Sequence, residues 1–377
     1  MCKLLVRVYK CTVVMYDIFI GENVCIGKGE DMNLKKTVID DVFKCYSCNA
    51  ITVEGQTQLI FAGEGPGVLN IYSGEDFKEK KTLWDADSKC GGTMSVVTVP
   101  GHEDYFFVSK GFFSMVDGHT SAIYLVRYQD GAFVEEKVAE IPFLHRFDVI
   151  TVEGKRFLVA ASLHGGKVDK EDWSKPGKVY VAQVPYDLSQ PLAIELKVLV
   201  EGLTKNHGFN KGQWQGEEVA FIASESGVLA VMPPQQGRSE WKTEEIFDFP
   251  VSDVAAIDLD GDGELEFALL SPFHGSEFDI YKKVDGVYKS VFKYENAQDF
   301  YHAINADTFN GVPTFVIGAR KDPMEMFMVQ YDKKAAEFKS ILIEEQVGPA
   351  NARIIHTKEG DLLMSSNRQI DQAAIYR

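Results

Sequence analysis

Long apolar runs are missing from this sequence. No stretch of about 20 apolar residues, the length a helix needs to cross a bilayer, occurs in its 377 residues. The opening Met1–Val24 is interrupted by Lys3, Arg7, Lys10 and Asp17 and lacks a clear cleavage site, so it reads poorly as a signal peptide and a cytoplasmic location is expected. Basic residues are scarce as well. Lys and Arg number 39 against 56 Asp and Glu, a net charge of −17. Phosphate backbones and anionic lipid surfaces both demand concentrated positive charge, so neither nucleic acid nor membrane is expected as a partner.

Nucleotide and hydrolase signatures are absent too. The chain has no GxGxxG, Walker loop, GxSxG elbow or HExxH, which leaves dinucleotide, nucleoside triphosphate, α/β-hydrolase and zincin readings without an anchor. The six cysteines (Cys2, Cys11, Cys25, Cys45, Cys48 and Cys90) all fall in the first quarter. Cys45 and Cys48 form a CxxC with no second pair, so a structural zinc site is not expected and buried thiols are the plainer reading.

What the sequence does hold is aromatic and glycine residues: 25 Phe, 15 Tyr, 4 Trp and 32 Gly, with 45% hydrophobic residues. That is the composition of a large β-rich protein with a substantial core. Short β-patterned runs recur in pairs across a polar turn, as in Asn49–Val53 with Gln58–Ala62, Phe147–Val152 with Phe157–Ala161, and His302–Asp307 with Thr314–Gly318. Taking Ile51, Val96, Val149, Lys211, Ala256, Ile304 and Ile354 as equivalent gives steps of 45, 53, 62, 45, 48 and 50 residues. Seven units of about 50 residues with several strands each are the signature of a β-propeller.

The seventh unit ends after three strands, at Ala373–Tyr376, while Leu34–Val42 near the beginning is a strand without a unit. Pairing the two predicts an all-β, single seven-bladed β-propeller over residues 32–377, its last blade closed by Leu34–Val42, since an open ring would leave strand edges unpaired. Residues 1–31 then form a leader outside the fold, either a misassigned start ahead of Met32 or a disordered arm.

Asp258-Leu-Asp260-Gly-Asp262-Gly-Glu-Leu-Glu266 places carboxylates at alternate positions among turn-forming glycines, a spacing that suits Ca²⁺. Sitting between two strands, it resembles the calcium loop of FG-GAP (VCBS-like) repeat propellers. That resemblance implies a structural calcium held by Asp258, Asp260, Asp262 and Glu266, with a metal-free Asp/Gly turn as the alternative.

Histidine placement carries the functional reading. His145, His207 and His302 precede or begin innermost strands. His164 and His274 end second strands in the matching phrases Leu163-His164-Gly165-Gly166 and Phe273-His274-Gly275-Ser276. With His119, six of the eight histidines fall on one face, whereas His102 and His356 fall toward the other. A strand-end histidine bonded to backbone is the ordinary reading of any one of them. Repetition at matching sites instead points to a divalent transition metal (Zn, Mn or Fe) in the funnel, held by His145, His207, His274 and His302. On the same face fall Glu64, Lys110, Glu225, Tyr301, Arg320, Lys321, Asn351, Asn367 and Arg368. Of these, Lys110, Tyr301 and Arg320, together with His164, are the expected catalytic groups. The insertion Lys167–Lys178, with Trp173, lies beside His164 and reads either as a lid or as a surface loop.

The axial histidines and the two His-Gly turns resemble the propeller part of aldos-2-ulose dehydratase and related sugar lyases. They also resemble oligogalacturonate lyase, a seven-bladed propeller with histidine-held metal. The resemblance implies a metal-dependent lyase, dehydratase or isomerase acting on a small carbohydrate-like substrate, a keto-sugar or sugar-acid derivative. It would work by α-proton abstraction and β-elimination in the funnel. The competing expectation is a non-catalytic sugar- or protein-binding propeller with only structural calcium.

Overall fold

The computed structural model describes residues 34–86, 90–296 and 298–377. The expected leader at residues 1–31 lies outside the described residues. Seven four-stranded antiparallel sheets stand around a common axis, and the only helical pieces among the described residues are two short 3₁₀ turns, Glu75–Phe77 and Arg368–Ile370. No helix there is long and apolar enough to cross a membrane. The seven-bladed propeller expected from the repeat is the observed fold.

Each blade grows outward from a central strand by hairpins. Its second strand is almost wholly buried and mostly apolar, as in Lys155–Ser162, and its outermost strand carries charge, as in Ala132–Glu140. Apolar side chains fill the wedges between blades. Val97, Phe107 and Leu125 of the second blade meet Val149, Leu158 and Ala160 of the third, for example. Burial of both faces of the second strands, such as Lys155–Ser162 and Glu217–Ser224, explains why they read as near-continuous apolar runs. Cys45 and Cys48 are buried thiols in the innermost strand Cys45–Val53. Burial pushes both thiols up, Cys48 to about 11, so neither is a thiolate at neutral pH.

Closure runs as the sequence predicted. Lys36–Asp41 pairs antiparallel with Gln372–Tyr376 as the fourth strand of the last blade, with Lys36 opposite Tyr376. Beyond that pair, Lys35 N–H donates to Arg377 O at 2.8 Å and Arg377 N–H returns to Lys35 O at 3.1 Å.

Backbone geometry at the start of the inner strands is what aims side chains at the axis. Lys44, Gly92, Phe143, Lys205, Phe300 and Gly348 all have φ between 48° and 64°. Two residues after each stand Tyr46, Met94, His145, His207, His302 and Ala350. In three blades the register slips at that residue: between Cys45 and Ser47, between Leu144 and Arg146, and between Tyr301 and Ala303. Tyr46, His145 and His302 are thus the extra residues of β-bulges, which turn a side chain out of the regular alternation.

Three residues further along, polar side chains stitch neighbouring inner strands. Asn49 Nδ2 donates to Val96 O (2.8 Å), and Lys211 Nζ pairs with Asp148 (3.1 Å). Ala256 N–H donates to Asn210 Oδ1 (3.2 Å), and Ile354 N–H donates to Asn305 Oδ1 (3.1 Å). Below the histidines these groups line a polar axial cavity of about 370 Å³.

Candidate functional site

Four histidines meet on the axis. His145, His207 and His302 come from the turned-out positions of three inner strands, and His274 comes from the end of the second strand Glu266–Leu270. The connection after that strand is tight. His274 sits at φ 56°, and a Cβ on Gly275 would lie 2.3 Å from Ser271 Oγ, so the turn requires glycine there.

His207 and His274 bring their Nε2 atoms to 3.1 Å. Ring centroids are 4.5 Å apart for His145 and His207, 5.2 Å for His207 and His302, and 5.0 Å for the stacked pair His274 and His302. His207, His274 and His302 form the tightest set, each offering a ligand atom within 4.8 Å of the others. His145 completes the ring through Tyr46, whose Oη lies 3.3 Å from Nε2 of both His145 and His302.

The tautomers follow from the partners. His302 Nδ1 lies 2.7 Å from Ala350 O, and His207 Nδ1 lies 3.2 Å from Ser252 O. A carbonyl oxygen only accepts, so both Nδ1 atoms carry the proton and both Nε2 lone pairs point inward. The acceptors are backbone groups of the corresponding positions in the next blade, so ring orientation is fixed by the scaffold itself. Burial holds all four imidazoles neutral. It depresses His145, His207 and His302 well below the usual range, helped by their neighbours, and takes His274 to about 3 with Arg320 and Arg146 adding to the effect.

Charged groups flank the ring. Asp253 is buried, with Oδ2 3.6 Å from His207 Nδ1 and 3.7 Å from Arg146 Nη2; burial raises its carboxyl to about 6 against the pull of Arg146. Arg146 Nη1 donates to Asn351 Oδ1 at 2.8 Å. Arg320, 8% exposed, lies 4.8 Å over the Phe300 ring, and its hydrogen bonds reach Gln369 Oε1 at 3.3 and 3.4 Å. Burial, then the neighbouring Arg368, lowers Arg320 to about 10.

An aromatic cap covers the ring. Phe112, Phe143 and Leu163 are buried there with Met115, Trp173 and Phe273 against them. Phe273 lies 4.0 Å from His274 and 5.3 Å from Trp173. Trp173 belongs to the Lys167–Lys178 insertion, with Lys167 Nζ 3.1 Å over its ring, so the lid reading fits the observed placement. His164 belongs to this cap and not to the ring. It packs 4.2 Å from Phe143 and 5.9 Å from Trp173, with Nδ1 accepting Gly166 N–H. His119 also reaches the cap, 4.6 Å from Phe143.

Two expected catalytic groups are elsewhere. Tyr301 is buried between blades against Phe278, because the bulge that sends His302 to the axis leaves Tyr301 facing the core. Lys110 bonds Glu135 at 2.9 Å and lies over Trp84 and Tyr124, between the first two blades and away from the histidines. Glu64 pairs with Arg368 and Glu225 with Lys205 on the same face. His356 faces Asp307 and Asp361 on the other. Sequence reasoning missed Tyr46 and Arg146. Tyr46 was concealed by the bulge, which shifts the register of the strand that carries it.

The acidic loop joins Asp253–Ile257 to Glu266–Leu270 as expected. Asp258 accepts the N–H groups of Gly261 (2.7 Å) and Gly263 (2.9 Å), while Lys282 approaches Asp260, Asp262 and Glu266.

No known protein family matches the chain, and no curated protein matches it. Solved structures do. A periplasmic gluconolactonase of Pseudomonas aeruginosa superposes with a TM-score of 0.55 at 11% identity, covering 88% of this chain and 91% of that one. A putative 6-phosphogluconolactonase of Bacteroides uniformis gives 0.52 at 12%, covering 86% and 89%. Another, from Bacteroides fragilis, gives 0.51 at 10%, covering 87% and 88%. At such identity the likeness establishes the propeller fold.

Proposed function

We propose that this protein is a metal-dependent carbohydrate lyase, dehydratase or isomerase acting on a keto-sugar or sugar-acid derivative. One observation carries the reading: His207 and His302 are locked by backbone carbonyls with their Nε2 lone pairs aimed at one point, where His274 joins them. Neutral imidazoles that turn nitrogen lone pairs toward one point form the donor set of a transition-metal site. The printed names of the solved neighbours, gluconolactonase and 6-phosphogluconolactonase, add support for a sugar-derived substrate. The reaction class is taken from the resemblance that the axial histidines and the two His-Gly turns bear to sugar lyases.

His207, His274 and His302 would hold the ion in this reading. When bound, it supplies Lewis-acid polarisation of the substrate carbonyl. His145 and Tyr46 then form the proton-handling pair. Neutral His145 Nε2 accepts the proton from the carbon beside the carbonyl, and the C–H electrons pass into the enolate. Tyr46, pushed up to about 12 by burial, stays protonated and donates to the departing hydroxyl, which leaves as water as the C=C bond forms. Arg320 stabilises the enolate charge. The aromatic cap excludes bulk water, and its Trp173 segment is the part that opens for the substrate.

The burial of the ring, with His145, His207 and His302 all at or below 4% exposure, favours the second reading, a non-catalytic propeller. Elemental analysis of purified protein, with assays on keto-sugars and sugar acids before and after His207→Ala and His302→Ala, separates the two. One equivalent of transition metal with activity lost in both variants is expected. Full activity in metal-free variants would defeat the proposal.

A further inference from the structure

The acidic loop of the fifth blade resembles a calcium loop, yet its inner oxygens already have a cation. Lys282 lies on the third strand of the same blade, Phe278–Val284. Its Nζ bonds Asp260 and lies 2.7 Å from Asp262 Oδ2 and 2.8 Å from Glu266 Oε1. An ammonium has three N–H donors, and here three carboxylates lie within ion-pair distance of it. The remaining oxygens fold the loop. Glu266 Oε2 accepts Leu259 N–H (2.6 Å), Asp260 Oδ1 accepts Asp262 N–H (3.2 Å), and Asp262 Oδ1 accepts Glu264 N–H (3.0 Å).

Burial supports the assignment. Glu266 is fully buried and the Lys282 side chain is 14% exposed, so the lysine is the charge that compensates the buried carboxylate. Burial alone would depress the amine, but the three carboxylates overcome it and raise it above its ordinary value, so it stays charged at every physiological pH.

We propose that Lys282 is a built-in replacement for the divalent cation of this loop, which makes the hairpin independent of calcium and leaves a latent Ca²⁺ site beneath the lysine. A Ca²⁺ ion needs six to eight oxygens and would have to displace a side chain tethered on the adjoining strand. The inference stands apart from the histidine ring and its metal.

Thermal melting with and without Ca²⁺, in buffer stripped of free metal by a chelating resin so that the axial site is left alone, tests it. Wild-type protein is expected to melt at the same temperature with no added Ca²⁺ and with about 5 mM, several-fold above the weakest natural loops. Lys282→Met is expected to melt several degrees lower without Ca²⁺ and to recover on its addition. Terbium luminescence should appear in the variant and not in the parent. A wild-type protein stabilised by Ca²⁺, through a response that Asp262→Asn abolishes, would overturn the proposal. So would a Lys282→Met protein that folds but ignores Ca²⁺. Should that variant fail to fold, the wild-type Ca²⁺ titration decides by itself.

Discussion

The Nε2 atoms of His207 and His274 lie 3.1 Å apart, and the His207 proton is committed to Ser252 O on the far side of its ring. One lone pair therefore faces the other ring at contact distance, in a neutral, buried setting. A neutral His274 that carries its proton on Nε2 donates it to that lone pair, and with the proton on Nδ1 instead both nitrogens are free to act as ligands.

Removing a ring member should show it. His274→Ala is expected to lower bound transition metal from about one equivalent to below about a tenth, since a lost ligand or its support costs 10–100-fold in affinity. His164→Ala should keep its metal, because His164 packs in the cap. Plasma mass spectrometry of both variants decides, and equal loss in the two would count against the ring assignment.

Tyr46→Phe separates proton handling from metal holding. The ring is retained while the hydroxyl between His145 and His302 is removed. Metal content should stay the same while kcat falls about 10²-fold, the usual contribution of a positioned acid. Unchanged kcat would remove Tyr46 from the mechanism.

His164 sets a pH dependence of stability. Burial, then Lys167, takes it to about 4 from an unfolded value near 6.5. The folded protein favours the neutral form, so stability is intact above pH 6.5. It falls as the pH drops toward 4, because the unfolded chain then binds a proton that the fold refuses. Between pH 7 and 4.5 the loss attributable to this group is about 1–3 kcal/mol. Urea midpoints across that range should decline less in His164→Gln than in the parent, and parallel declines would contradict the assignment.

Lys110→Met and Tyr301→Phe should leave kcat within about twofold, because neither side chain touches the ring, while an ion pair such as Lys110 with Glu135 contributes under about 1 kcal/mol of stability. A kcat loss of tenfold or more in either would return that residue to the site.

The architecture was legible because its signals are periodic. Paired apolar runs at steps near 50 residues and the orphan strand before Val42 sufficed for blade number and closure. The histidines were legible as a face, since strand ends and connections alternate sides in any propeller. What the pattern could not carry was the last turn of the chain before each inner strand. There a left-handed residue and a bulge decide whether residue 301 or 302 looks at the axis, and both occur without a fixed residue type: Lys44, Phe143 and Phe300 all take that conformation. Tyr46 escaped for the same reason. Its strand was aligned on Ile51, a residue out of step with the position that Val149 holds below His145. Lys282 escaped because a lysine within a strand gives no hint of which loop its amine will reach.

The last blade joins the first strand of the fold to the final one, Lys36 opposite Tyr376. The four ring histidines come from consecutive blades, the third to the sixth, while Tyr46 belongs to the first blade and Ala350, whose carbonyl orients His302, belongs to the seventh. The seam therefore holds a hydroxyl from one end of the circle against rings oriented from the other, and a strand pair on the rim of the last blade sets the spacing of groups at the centre.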